Sequence, residues 1–249
     1  MLLHGFTQNV GCWGRFADAL ASEAPVDAVD APGHGRTDQI HDKVDLWRSA
    51  ELLNHRLVPS SPAEGSPVLI GYSMGGRTAL HLALRHPNSL SGLVLIGATP
   101  GIEDDTDRAK RRETDQALAH RIRSEPLESF LSDWLANPLF ATLPSGAAAL
   151  QARLTNRREG LAASLEGCGT GAQTPLWNRL NEIKVPILLI TGTDDHKFSD
   201  LSARMEESLG NADVTRRTIA GTHAVHLEQP DETAAVILNW LSKRRRRFS

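Results

Sequence analysis

The stretch that decides the fold is Gly71-Tyr72-Ser73-Met74-Gly75-Gly76. It follows an apolar run at 67–70, which predicts a strand, and precedes residues 77–84, which predict a helix. A serine at the apex of so sharp a turn needs glycine on both sides, because any larger neighbour would crowd it. The pattern predicts a serine hydroxyl that projects from the sheet, beside a backbone N–H at a helix N-terminus that can face negative charge.

Two later segments carry candidate partners for this serine. An apolar run at 185–192 predicts a buried strand and leads into Asp194 and Asp195. A loop beyond it contains His223 and His226. A carboxylate on one loop can orient an imidazole on another against a serine hydroxyl. The chain order Ser, Asp, His is that of the α/β-hydrolases, and the chain resembles that superfamily.

The resemblance favours one residue of each pair as the partner. In that fold the aspartate usually follows a glycine after two intervening residues, which selects Asp195 and leaves Asp194 as a turn residue. His223 comes directly after a glycine-containing turn, whereas His226 falls where the next helix begins. The predicted triad is therefore Ser73, Asp195 and His223, with a structural role for His226.

A strand near the N-terminus completes this part of the interpretation. The segment Leu2-Leu3-His4-Gly5-Phe6 predicts a strand that ends in a glycine. In α/β-hydrolases the loop after this strand supplies one donor to the oxyanion hole, and the residue after the serine supplies the other. The resemblance thus assigns the two donors to the backbone N–H groups of Phe6 and Met74. The chain opens directly in this strand, so the two strands that usually precede it in this fold are not expected.

Length and composition favour one large domain without a disulfide framework. The chain has 249 residues, of which 40% are hydrophobic and 23% charged, which is ample for a single core. The net charge of −3 gives no general attraction to nucleic acid. Cys12 and Cys168 lie far apart and lack metal-site spacing, which indicates a reducing compartment. No signal peptide or membrane span is evident, so we expect a cytoplasmic protein with no membrane insertion.

The order of predicted elements gives an α/β-hydrolase fold: a mostly parallel sheet flanked by helices, with an inserted helical cap. Strand-like runs end near Leu3, Val29, Ile70, Ile96 and Ile190, and a last run covers 214–219. Residues 103–178 contain only helix-like patterns, which breaks the alternation of strands and helices. The expected organisation is a core from 1–102 and 179–249, with the cap at 103–178.

Several segments together give a closer resemblance, to the 2-succinyl-6-hydroxy-2,4-cyclohexadiene-1-carboxylate synthases of menaquinone biosynthesis. The segments at 3–7 and 30–35 are shared with most α/β-hydrolases. More discriminating are Arg77 after the serine motif, the run at 121–127 that leads to Trp134 and 138–140, and the segment Asp195-His196-Lys197-Phe198. The resemblance covers nearly the whole chain.

The resemblance implies a set of substrate-binding residues, namely Tyr72, Arg77, Arg111, Trp134 and Arg153. The substrate of this family carries several carboxylates, which the planar guanidinium group of arginine suits. Some of these arginines have neighbours that could take their place: Arg112 beside Arg111, and Arg157 or Arg158 near Arg153. The alternative for each arginine is a solvated helix surface.

In this family the triad removes a proton, and a 2,5-elimination expels pyruvate. The resemblance therefore implies a carbon–oxygen lyase that uses no metal or organic cofactor and takes a small polycarboxylate substrate. The triad alone fits equally well a serine hydrolase of esters or carbon–carbon bonds, so that class stays open. The third alternative is a non-catalytic protein of the same fold. Such a protein can lose residues of its triad, and the presence of all three here argues against it. A neutral ester would need no set of arginines, which distinguishes the first two classes.

Overall fold

The computed structural model describes residues 1–37, 44–57, 65–210 and 213–248, without the side chains of 245–248. Its centre is a six-stranded sheet with the strand order β2-β1-β3-β4-β5-β6, in which every neighbouring pair is parallel. The strands are β1 (Leu2–Leu3), β2 (Ala28–Val29), β3 (Val68–Tyr72), β4 (Gly92–Ile96), β5 (Ile187–Gly192) and β6 (Val214–Ile219). The predicted parallel sheet is confirmed, although β3 runs two residues further than the apolar pattern suggested, and β5 ends at Gly192 as the run at 185–192 predicted.

Helices cover both faces of the sheet. One face packs against α2 (Leu46–Arg56), α3 (Met74–Arg85) and α8 (His196–Leu209), and the other against α1 (Gly14–Ala21), α9 (Val225–Glu228) and α10 (Pro230–Phe248). The central strand β4 shows why both faces are apolar. Leu93 and Leu95 belong to the first layer, and Val94 and Ile96 to the second, because successive side chains point to opposite faces.

The chain between β4 and β5 is helical, as the sequence predicted. Residues 97–186 are all described, and none of them lies in a strand. They contain α4 (Asp105–Ser124), α5 (Leu127–Leu135), α6 (Leu150–Leu154) and α7 (Arg158–Cys168). Their buried apolar side chains, including Ile122, Phe130 and Leu161, form a cluster of their own above the sheet core. We call residues 103–178 the cap, and these two boundaries stay a prediction.

The turn between β3 and α3 brings the helix very close to the neighbouring strand. A Cβ atom added to Gly75 would lie 2.0 Å from the carbonyl oxygen of Leu3 in β1, and one added to Gly71 would lie 2.6 Å from the oxygen of Gly75. Between them, Ser73 has φ 49° and ψ −107°, a backbone conformation that residues other than glycine rarely adopt. The glycines are therefore required by space, and the strain at Ser73 is held by the packing on both sides.

We expect Gly75→Ala to destabilise the protein by about 3 kcal/mol, because the added methyl group would overlap a backbone oxygen that cannot move away. The matched control is Gly146→Ala, since a Cβ atom at that exposed position meets nothing within 4 Å. Urea unfolding of the two variants measures the difference. Equal stability of both would show that β1 and α3 are not held at this distance.

Candidate active site

The structure brings Ser73, His223 and Asp195 into one hydrogen-bonded chain. Ser73 lies at the turn after β3, Asp195 at the N-terminus of α8, and His223 in the loop after β6. His223 Nδ1 lies 2.7 Å from Asp195 Oδ2, and His223 Nε2 lies 3.1 Å from Ser73 Oγ. When Nδ1–H donates to the carboxylate, Nε2 is left as the acceptor for the serine hydroxyl. The arrangement can therefore take a proton from Ser73.

The neighbouring candidates lie elsewhere. Asp194 is exposed, and its carboxylate accepts only a long hydrogen bond, 3.4 Å, from the hydroxyl of Thr193. His226 is fully buried against Tyr72 on the apolar side of the sheet, and neither of its ring nitrogens has a partner within the described residues. Burial lowers the pKa of His226 to about 3, so this imidazole stays neutral. The geometry agrees with the sequence in favouring Asp195 and His223.

Tight packing holds the imidazole of His223 in place. The ring of Phe198 lies 4.3 Å from it, centroid to centroid, and that of Tyr72 lies 5.4 Å away. A Cβ atom added to Gly97 would come within 2.8 Å of the imidazole. His223 and Asp195 are both only 5% exposed, which keeps water away from their hydrogen bond. The base is therefore oriented by its surroundings on several sides.

The two residues predicted to supply the oxyanion donors both border the cavity beside Ser73, and their role stays a prediction. Met74 begins α3, and Phe6 lies in the loop after β1. Both residues line the same cavity as Ser73. Within the described residues, neither amide hydrogen takes part in a backbone hydrogen bond. The side chain of Gln8 accepts a hydrogen bond of 2.9 Å from Gly5 N, which fixes the loop that carries Phe6.

The cavity beside Ser73 collects all five residues that the resemblance assigned to substrate. Its wall contains Tyr72, Arg77, Arg111, Trp134 and Arg153. They come from three places: the end of β3, the first turn of α3, and the cap helices α4, α5 and α6. The cavity therefore lies between the sheet core and the cap.

Two of the three arginines are buried without an acidic partner. Arg153 is 2% exposed, and its guanidinium group donates to the carbonyl oxygen of Ala148 and to the hydroxyl of Thr7. Arg77 is 7% exposed and donates to the carbonyl oxygen of Cys168 at 2.5 Å. Among the described residues, neither forms an ion pair with a carboxylate. Burial lowers the pKa of Arg77 to about 10, so this side chain is charged at neutral pH, and it also lowers the pKa of Arg153.

The structure also separates the alternative arginines. Arg111 lines the cavity while its Nε donates to the buried carboxylate of Asp115 at 2.7 Å. Arg112 is exposed, and its Nε donates to the carbonyl oxygen of Gly171 outside the cavity wall. Arg157 and Arg158 are exposed as well, and neither is part of that wall. The positions of Arg111 and Arg153, rather than their neighbours, face the site.

Aromatic side chains form the apolar part of the wall. Trp134 contacts Phe6 edge to face, with ring centroids 5.3 Å apart, and also lies near Phe130 and Phe140. Tyr72 is 3% exposed, and burial raises the pKa of its hydroxyl, which therefore remains protonated. Both residues line the cavity, and their contact with substrate stays a prediction.

The sequence analysis missed several residues that line the cavity, namely Gln8, Phe140, Lys197 and Phe198. A signal for the last two was present, because they directly follow Asp195 in a segment that supported the resemblance. No group of three or more His, Cys, Asp or Glu side chains within the described residues could hold a metal ion. Nor does any described helix have the length and apolar character to cross a membrane.

Comparison with known proteins agrees with this geometry. A protein-family profile described as "Alpha/beta hydrolase family" matches residues 1–236. The 2-succinyl-6-hydroxy-2,4-cyclohexadiene-1-carboxylate synthase of Serratia proteamaculans is 34% identical to this chain, and the match covers 96% of this chain and 91% of the relative. The enzyme of the same name from Klebsiella pneumoniae is 33% identical, and the match covers 95% of this chain and 90% of the relative.

Solved structures give the same result. The structure of MenH from S. aureus has 32% sequence identity and a TM-score of 0.89, covering 98% of this chain and 93% of that one. A thermophilic esterase from Thermogutta terrifontis has 24% identity and a TM-score of 0.80, which supports the fold alone. The chain belongs to the alpha/beta hydrolase family and, within it, to the family of 2-succinyl-6-hydroxy-2,4-cyclohexadiene-1-carboxylate synthases.

We expect Asp195→Asn to lower the rate at which a fluorophosphonate labels Ser73 by a large factor, up to about 10⁴ for loss of the orienting charge in such a triad. Asp194→Asn should label at the rate of the unchanged protein, because Asp194 is exposed and does not contact His223. Mass spectrometry of the labelled protein measures both rates. The reverse order of effects would show that the acid is Asp194.

Proposed function

We propose that this protein eliminates pyruvate from 2-succinyl-5-enolpyruvyl-6-hydroxy-3-cyclohexene-1-carboxylate to give 2-succinyl-6-hydroxy-2,4-cyclohexadiene-1-carboxylate. The observation that carries the proposal is the charge of the cavity beside Ser73. Arg77, Arg111 and Arg153 converge on it, and two of them are buried with no described carboxylate as partner. The names of the relatives support the same reaction.

The arginine set selects for a ligand with several negative charges. Burying an unpaired guanidinium ion costs free energy, so a protein that keeps two of them needs a counter-charge from elsewhere. The proposed substrate carries three carboxylates, on the ring, the succinyl group and the enolpyruvyl group. Each can accept charge-assisted hydrogen bonds, in two-pronged geometry where the guanidinium fork is free. A neutral ester offers no such partner.

The triad supplies the base for the elimination. Ser73 Oγ takes the proton from ring carbon 2, next to the succinyl carbonyl, while His223 Nε2 accepts the serine hydrogen and Asp195 stabilises the imidazolium. The C–H electron pair becomes a new ring double bond between carbons 2 and 3. The old double bond moves to carbons 4 and 5, and the bond from carbon 5 to oxygen breaks. The departing enolate takes up a proton and becomes pyruvate.

The backbone N–H groups of Phe6 and Met74 stabilise the charge that builds up on the succinyl carbonyl oxygen during this step. Donors that are already in place are worth more than water, because they need no reorganisation as the charge develops. Met74 is the first residue of α3, so its N–H lies at the positive end of that helix. Serine acts as a proton carrier here, so no covalent intermediate forms.

The proposal also includes where the enzyme works. Cys12 and Cys168 are both buried free thiols, which fits the reducing environment of the cytoplasm. The partner is a small polycarboxylate, and the residues that would hold it are those of the cavity wall.

The direct test is release of pyruvate from the named substrate, followed with lactate dehydrogenase. The purified protein should release one pyruvate per substrate, and Ser73→Ala should fold but lose most of the activity, because His223 then has no hydroxyl to activate. No acyl adduct of Ser73 should accumulate. A stable acyl-Ser73 adduct, or ester hydrolysis without pyruvate release, would instead establish the protein as a serine hydrolase.

We expect Arg111→Ala to lower kcat/KM for the polycarboxylate about tenfold to a hundredfold, since a hydrogen bond to a charged group contributes about 1.5–3 kcal/mol. Arg111→Lys should recover part of the loss, because an ammonium group cannot make two parallel contacts. The matched control is Arg112→Ala, which removes the same charge one residue further on, outside the cavity wall. If both alanine variants behaved alike, the effect would come from net charge and not from a substrate contact.

A further inference from the structure

The carboxylate of Glu228 joins two segments that belong to different parts of the protein. It accepts hydrogen bonds from the backbone N–H of Thr222 at 2.7 Å and from the Thr222 hydroxyl at 2.5 Å. It also accepts one of 2.9 Å from the hydroxyl of Thr142. Three donors on one carboxylate form a strong cluster, because charge-assisted hydrogen bonds are roughly twice as strong as neutral ones.

Both ends of this cluster are next to residues of the candidate site. Thr222 directly precedes His223 in the chain. Thr142 follows, two residues later, the short 3-10 helix Pro138–Phe140, and both Leu139 and Phe140 line the cavity. The Thr222 hydroxyl also lies 3.1 Å from the carbonyl oxygen of Leu139. The cluster therefore connects the loop of the base to the part of the cap that forms the cavity wall.

Glu228 itself stays outside the reaction. It is not among the residues that line the cavity, and it lies at the end of α9, behind the His223 loop. It is closely packed there, since a Cβ atom added to Gly221 would come within 2.3 Å of its carboxylate oxygen. Apart from the effect of its charge through space, Glu228 can act on the reaction through Thr222 or through the 139–142 segment.

We propose that Glu228 is a positioning residue that holds His223 in line with Ser73 and ties the 139–142 wall of the cap to the same loop. This inference rests on the triad role of His223 in the proposed function. The imidazole needs such support, because a hydrogen bond of 3.1 Å to Ser73 is lost with a small shift of the loop.

The geometry also says which substitution preserves the function. In Glu228→Gln the amide oxygen can accept from Thr222 N and from Thr142. Its NH₂ group can donate to the Thr222 hydroxyl, whose own hydrogen then turns to the carbonyl oxygen of Leu139. Every group keeps a partner, so glutamine maintains the connection without the charge. Alanine removes the connection altogether.

The test compares Glu228→Ala with Glu228→Gln in the full-length protein. The readouts are the rate of fluorophosphonate labelling of Ser73, kcat and KM for pyruvate release, and the downfield NMR signal of the His223 Nδ1 proton. Glu228→Ala removes all three hydrogen bonds, and we expect it to slow labelling and lower kcat about tenfold and to broaden the proton signal. Glu228→Gln should recover most of the labelling rate. The matched control is Glu232→Ala in the exposed first turn of α10, which should behave like the unchanged protein.

Two further variants keep the inference testable if Glu228→Ala does not fold. Thr142→Val removes the hydrogen bond between Glu228 and the cap but leaves Thr222 in place, and should raise KM more than it lowers the labelling rate. Adding Thr222→Val should slow the labelling as well, because both hydroxyl donors to Glu228 are then gone. Unchanged labelling, proton signal and kcat in folded Glu228→Ala, or unchanged labelling in the double valine variant, would overturn the inference. Fluorophosphonate labelling needs no specific substrate. If the protein released no pyruvate, the lyase proposal would be refuted, but the labelling rates would still test the role of Glu228.

Discussion

The close contact between α3 and β1 is the constraint on which the site depends. Because Gly75 lacks a side chain, the helix begins almost against the backbone of Leu3, and the turn before it must be abrupt. Ser73 accepts an unfavourable backbone conformation as a result, while its N–H and C=O remain bonded to Ile96 and Arg77. Its hydroxyl is thereby presented above the edge of the sheet where β5 and β6 also end. The partners in the triad, Asp195 and His223, follow those two strands in the chain.

The core and the cap contribute different kinds of chemistry. The core holds a proton-transfer chain that depends on alignment and would serve many substrates. The cap adds Arg111, Arg153 and part of the aromatic wall, and in the proposed function these side chains contribute to the choice of substrate. Arg77 connects the two, because it lies on α3 in the core but donates its hydrogen bond to Cys168 at the end of α7. Its position next to Ser73 therefore depends on where the cap sits.

Much of the fold and of the site follows from short-range patterns in the sequence. The turn at Ser73 requires glycines for steric reasons, and the buried strands appear as continuous apolar runs. Both patterns can be recognised in the sequence. Arg111 could have been separated from Arg112, because only Arg111 has an aspartate four residues later, on the same side of α4. The cluster around Glu228 could not be recognised, because it joins Thr142 to residues 80 or more positions away, with no spacing rule. Thr7 beside Arg153 is a similar case.

Because Arg153 is buried without a described acidic partner, the cavity can discriminate among ligands by their charge. Under the proposed function, a small uncharged ligand would offer no counter-charge to Arg77 or Arg153, whereas a polycarboxylate would supply one. Selection of this kind acts through charge and does not need a cavity shaped closely around one ligand. A reactive serine could then lie in a cavity with a largely apolar wall, and charged ligands would still be favoured over neutral esters.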